Sequence, residues 1–237
     1  MAFTDFNRNL TFKTLGTKKV FPLLQLQIYD MDYKERITEE AAHLFMKFGI
    51  RAVTMDSIAQ HLGMSKRTIY ENFSDKDELL YHVIETMAAR QKEVFRHIMA
   101  SADNVIEALF NMMTTASAHM KNQNPTYMMD LKRYHYGVYQ RICQKGDIRN
   151  YEMSIAMLKR GVEEGIFRND INIEIVNIGI HAAIDITRDN EELSIEEFTN
   201  FQILDNLLLN YLIGISTSRG QNLIQEYKEQ KKQELNV

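Results

Sequence analysis

Apolar residues recur along this chain at three- and four-residue intervals, in long segments interrupted by only two prolines and ten glycines among 237 residues. Side chains spaced this way share one face of an α-helix, whereas a half-buried strand needs a period of two. So few turn-forming residues leave little room for the frequent reversals of an all-β fold. The pattern predicts an all-α protein. With 45% apolar residues the chain can fill a core, either as one large domain or as a small domain joined to a medium one.

The first strong segment runs from Tyr33 to Phe48. Ile37, Ala41, Leu44, Phe45 and Phe48 form its apolar stripe, and Gly49 ends it. Thr54 is a good N-cap for a short second helix carrying Met55, Ile58, Ala59 and Leu62 and closed by Gly63. Ser65 caps a third, ending near Phe73, and Asp75 caps a fourth that runs through Leu79, Leu80, Val83, Ile84 and Met87 toward Ile98. Further helices are expected at about 103–122, 125–144, 147–165, 172–188, 195–216 and 219–233, with no internal repeat of fixed period.

Two short helices joined by a tight turn at Gly63 make a helix-turn-helix. In such a unit the second helix enters the major groove, so its N-terminal residues must reach base edges and phosphates. Ser65, Lys66, Arg67, Thr68 and Tyr70 supply the cationic and hydroxyl groups, while Ile58, Leu62, Ile69 and Phe73 supply contacts that hold the helices at a fixed angle. Thr54 and Lys76 stand at the N-termini of the flanking helices, where free N–H groups and the helix dipole favour a phosphate. The bland reading is a plain helical hairpin with a solvated basic pair.

The stretch from Ile37 to Leu80 resembles the DNA-binding domain of the tetracycline-repressor (TetR) family. The resemblance rests on Phe45 and Gly49, on Thr54-x-x-x-Ile58-Ala59, on the Gly63-Met64-Ser65 turn, on Thr68-Ile69-Tyr70, and on Phe73-x-x-Lys76. It covers about a fifth of the chain. Weaker echoes follow at Glu164-Gly165-Ile166-Phe167-Arg168 and Gly214-Ile215-Ser216-Thr217. The resemblance implies that Thr54, Ser65, Lys66, Arg67, Thr68, Tyr70 and Lys76 contact a palindromic operator in double-stranded DNA. Phosphates would fall mainly to Thr54, Tyr70 and Lys76, and bases to Lys66 and Arg67. Many family members carry Gly or Ala where Arg67 stands. An arginine there could pair with guanine O6 and N7, worth roughly 1 to 3 kcal/mol of discrimination.

The expected organisation has three parts: an extra segment at 1–30, set apart by the start-like sequence from Met31, then the helix-turn-helix domain at 31–77 and, as the resemblance implies, an effector-binding and dimerisation domain at 78–237. Methionine and tyrosine are abundant between 103 and 165, and they suit a pocket for a greasy or aromatic small molecule, the competing reading being ordinary core packing. Phe110, Met113, Tyr127, Met128, Tyr134, Tyr139 and Met157 are the candidate pocket residues. The late helices are apolar on more than one face and need partners beyond their own hairpin. By resemblance they form a four-helix homodimer interface, with Ile180, Ile184, Phe201, Leu204, Leu208 and Tyr211 as candidates; the alternative is deeper burial within one subunit. Such a dimer would set two recognition helices roughly 34 to 36 Å apart. An effector would shift the helix beginning near Asp75 and carry the helix-turn-helix out of register, releasing a repressor. The competing function is a DNA-binding protein of the same fold governed by a protein partner, with no small-molecule effector.

A net charge of −4 argues against non-specific coating of nucleic acid, so DNA binding must be local. The single cysteine, Cys143, and the lack of an apolar run long enough to span a bilayer point to the cytoplasm. Pro22, Gln25 and Gln27 interrupt the apolar run near the N-terminus, with no small-residue cleavage site after it, which argues against a signal peptide. Met31 onward reads like a natural start; residues 1–30 are then a leader, an extra arm, or the product of a start codon placed too far upstream. His119 and His135 lack partners at metal-ligand spacing, and there is no phosphate loop or nucleophile motif, so neither a metal, nor a cofactor, nor an enzyme is expected.

Overall fold

In the computed structural model the described residues are 32–121, 123–145, 151–189 and 200–235; the segment 1–30 lies outside them. Among these residues the secondary structure is α-helical apart from one isolated bridge. Helix α1 spans Tyr33–Phe48, α2 Met55–Leu62, α3 Lys66–Asn72 and α4 Lys76–Ser101. The chain continues through α5 Val105–Lys121, α6 Tyr127–Tyr134, α7 Tyr136–Lys145 and α8 Tyr151–Glu163. It closes with α9 Ile173–Asp189, α10 Asn200–Ile215 and α11 Ser218–Leu235.

The local stops and starts follow the expected chemistry. Asp32, Thr54, Ser65 and Asp75 each cap a helix with a side-chain oxygen. Thr54 and Ser57 cap reciprocally: the Ser57 N–H donates to Thr54 Oγ1 at 3.1 Å and the Thr54 N–H to Ser57 Oγ at 2.9 Å. Gly63 leaves α2 at φ +64°, and the Met64 N–H returns to the Ala59 carbonyl at 2.9 Å.

Two apolar cores form, and they do not follow chain order. The first joins Ile37, Phe45, Ile58, Ile69 and Phe73 to Leu79, Leu80 and Val83 at the start of α4, and also to Tyr127 and Leu131 of α6 and Val138 and Ile142 of α7. The second joins Val105, Ile106 and Phe110 of α5 to Met157 and Leu158 of α8, Val176 and Ile180 of α9, Leu209 and Leu212 of α10 and Ile224 of α11. Helix α4, 26 residues and so roughly 39 Å long, runs from one core to the other, where Phe95, Ile98 and Met99 join the second.

The single helix expected over 125–144 is interrupted at His135, whose backbone leaves the helical region at φ −130° and ψ +41°. Its ring Nδ1 lies 2.5 Å from an Asp77 carboxylate oxygen at the start of α4, a tertiary pairing that residue spacing does not announce. The two weak echoes, by contrast, turn out to be one structural unit. Gly165 ends the α8 turn at φ +67°, Phe167 bridges to Ser216, the Arg168 N–H donates to the Ile215 carbonyl at 2.9 Å, and the Thr217 N–H donates to the Ile166 carbonyl at 2.9 Å.

Candidate nucleic-acid interface

Helix α3 shows opposite faces to core and solvent. Ile69 is fully buried and Phe73 nearly so, fixing the helix against α1 and α2, while Lys66, Arg67 and Tyr70 are exposed. Positions 66, 67 and 70 fall within one side of the helix, because three residues advance about 300°. Thr54 and Ser65 are exposed and Thr68 is half-exposed; all three hydroxyls already serve local caps, with Ser65 Oγ and Thr68 Oγ1 2.8 Å apart. These caps set the first turns of α2 and α3, the ends that a groove-bound unit presents to DNA.

The two cations at the tip of α3 carry exposed acidic partners. Lys66 pairs with Asp56 of α2, and Arg67 Nε lies 2.7 Å from Glu71 Oε1 one turn along. Exposed pairs of this kind contribute about 0 to 1 kcal/mol, so exchanging them for phosphate or base oxygens costs little. Lys76 differs. Its Nζ donates to the Ile50 carbonyl at 2.6 Å and sits 5.8 Å above the Phe45 ring. Burial lowers its pKa from the usual lysine value, an effect opposed by the Asp130 and Asp77 carboxylates. The ammonium expected at a phosphate is thus engaged with the turn after α1.

That turn has further partners that residue spacing does not reveal. Asp130, almost fully buried, accepts the Arg51 N–H at 2.9 Å. The Arg51 guanidinium lies 4.9 Å over the Tyr134 ring and donates to its hydroxyl at 3.1 Å. No sequence motif joins positions separated by 79 residues; packing alone brings them together.

The seven candidate pocket residues divide between the cores. Phe110, Met113 and Met157 belong to the second, where Phe110 stacks on Tyr227 at 5.6 Å. Tyr127, Met128 and Tyr139 belong to the first, and Tyr134 is exposed beneath Arg51. Two open grooves lie elsewhere. One, of about 500 Å³, is lined by Leu44, Phe48, Ala52, Val53, Ser57, Gln60 and His61; the other, of about 300 Å³, includes Asp75, Tyr81 and Arg141.

Among the candidate interface residues, Ile180 is buried in the second core, and Ile184, Leu208 and Tyr211 pack against it. Leu204 is partly buried, and the Phe201 side chain lies outside the described residues. Tyr211 reaches across to α9 and donates to the Val176 carbonyl at 3.4 Å. Among the described residues, the large apolar side chains that α9 and α10 turn outward are Ile175 and Ile178, each about two-thirds exposed, and Leu207. Their three-residue spacing within the apolar run was the available signal. Among the described residues no group of His, Cys, Asp and Glu is placed to hold a metal ion, and no helix is long and apolar enough to cross a membrane.

A capped two-helix unit whose second helix shows cations and hydroxyls to solvent defines a helix-turn-helix DNA-binding protein. Residues 37–83 match the family model described as bacterial regulatory proteins, tetR family. The chain is 28% identical over 184 residues to the uncharacterized HTH-type transcriptional regulator YvaF of Bacillus subtilis, covering 77% of this chain and 95% of that one. It is 29% identical over 147 residues to the HTH-type transcriptional repressor KstR2 of Mycobacterium tuberculosis, covering 59% and 72%. The fold resembles that of the transcriptional regulator FadR from Bacillus subtilis, solved in complex with stearoyl-CoA, with a TM-score of 0.58, 16% identity and coverage of 76% and 97%. Over residues 37–83 the chain is thus similar to the DNA-binding region of the tetR family of bacterial regulatory proteins.

Proposed function

We propose that the chain acts as a homodimeric repressor that binds a palindromic operator and is released by a small, largely apolar or aromatic effector. One observation carries the DNA-binding part of this reading: the α3 face that displays Lys66, Arg67 and Tyr70 while Ile69 and Phe73 lock the helix from behind. Thr54, Ser65 and Thr68 stand beside that face, and Lys76 supports it from within. Repression is the output named for the relative KstR2. An apolar effector accords with the methionine-rich second core and with the acyl-CoA held by the structural neighbour FadR. Dimerisation through α9 and α10 would cover Ile175, Ile178 and Leu207, which otherwise leave apolar surface in water.

Selection of bound fragments from a random duplex pool tests the proposal. Wild type is expected to enrich a palindrome with half-sites about one helical turn apart, and Lys66→Ala/Arg67→Ala/Tyr70→Ala to lose that enrichment. Equal enrichment by both proteins would exclude α3 as the reading helix.

A further inference from the structure

The turn from α1 to α2 is held from outside the helix-turn-helix. Gly49 leaves α1 at φ +82°, Ile50 and Val53 are buried, and Thr54 follows as the N-cap of α2. Asp130 of α6 accepts the Arg51 N–H at 2.9 Å on one side, and Lys76 of α4 donates to the Ile50 carbonyl at 2.6 Å on the other. Just upstream, the Asn124 N–H donates to the Met46 carbonyl at 2.7 Å and its side-chain amide to the Lys47 carbonyl at 3.3 Å. These are carbonyls that the end of α1 leaves without helical partners. The fit is close: a Cβ on Gly49 would stand 2.8 Å from Thr126 Oγ1 and 3.1 Å from Asp130 Oδ2.

A carboxylate that is only 4% exposed needs strong partners to offset its desolvation. Here it takes a backbone N–H, in a charge-assisted bond that fixes a position in the chain rather than a mobile side chain. The position fixed lies three residues before the α2 N-cap, and α2 carries α3 through Ile58 and Ile69. We infer that Asp130 is a positioning residue for DNA binding: from α6, too buried to reach DNA, it sets the placement of the helix-turn-helix, with Asn124 and Lys76 in support. The inference rests on the DNA-binding reading above.

The sign of the effect separates positioning from simple electrostatics. Removing a carboxylate makes the chain less negative, which by itself strengthens attraction to duplex DNA; loss of positioning weakens specific binding. Fluorescence anisotropy at fixed salt would compare full-length wild type, Asp130→Ala and Asp130→Asn on a duplex selected by wild type and on a scrambled duplex. Asp130→Ala is expected to lose about tenfold on the selected duplex with no loss on the scrambled one. Asp130→Asn keeps an oxygen that can accept the Arg51 N–H and should regain most of the loss. Should Asp130→Ala fail to fold, Asn124→Ala is expected to lower the same selected-to-scrambled ratio by a smaller factor. An unchanged ratio in the folded variants overturns the inference while leaving DNA binding intact; a wild type that selects no duplex overturns both.

Discussion

Tyr127 carries a hydroxyl into the apolar core behind the helix-turn-helix, and burial holds its pKa well above the ordinary tyrosine value. With the folded value raised, the folded protein keeps its proton where the unfolded chain releases it. The stability this contributes is therefore complete below about pH 10 and falls as pH rises further. Lys76 acts with the opposite sign, because burial lowers its pKa and the cost of its charge is relieved as pH rises toward the unfolded value. Comparing wild type with Tyr127→Phe isolates the tyrosine. Urea midpoints taken from about pH 8 to about pH 11 should fall less steeply in Tyr127→Phe; parallel curves would assign the alkaline loss to other groups.

At the scale of elements, the α8–α9 junction shows how tightly the second core is assembled. Gly161 lies where a Cβ would stand 2.1 Å from a Phe167 ring atom, and that ring is buried. Gly161→Ala should destabilise the fold by about 1 to 3 kcal/mol or more, read as a lower urea midpoint at unchanged slope. A wild-type midpoint would mean that Phe167 repacks without cost. One residue earlier, Arg160 ties α8 to the end of α4: its guanidinium donates to the Met99 carbonyl at 2.5 Å and the Ala102 carbonyl at 2.8 Å, and pairs with Glu164 at 2.5 Å. Glu164 in turn accepts the Val105 N–H at 2.9 Å. The end of α4 and the beginning of α5 are thereby capped by one ion pair from α8, satisfying backbone groups that neither helix satisfies alone.

For the whole molecule, the outward face of α9 and α10 is where the proposed dimer would bring two helix-turn-helix units together. In the proposed dimer Ile175 and Ile178 are covered, so Ile175→Glu/Ile178→Glu places two carboxylates in an apolar interface. Sedimentation velocity should then show monomers of normal helicity, with operator affinity reduced because one half-site no longer raises the local concentration of the other. A dimer that persists would place the interface elsewhere. The buried candidates Ile180 and Tyr211 would serve this dimer indirectly, through the packing of α9 on α10.

The residues that make α1 to α4 could be read directly from the chain, because caps, glycine stops and apolar periodicity act within a few positions of one another. Thr54, Ser57, Gly63, Ser65 and Asp75 stand where local hydrogen bonding demands, and the exposed face of α3 follows from the burial of Ile69 and Phe73. Periodicity also marked α9 and α10 as helices with apolar surface to spare, but not which face each turned to its own core. That division, the break at His135, the clamp of Asp130 on Arg51, and the engagement of Lys76 with Ile50 were decided by tertiary structure. The physical reason is range. Helix starts and stops are settled between neighbours, whereas a buried carboxylate finds its partner 79 residues away only after two cores have packed.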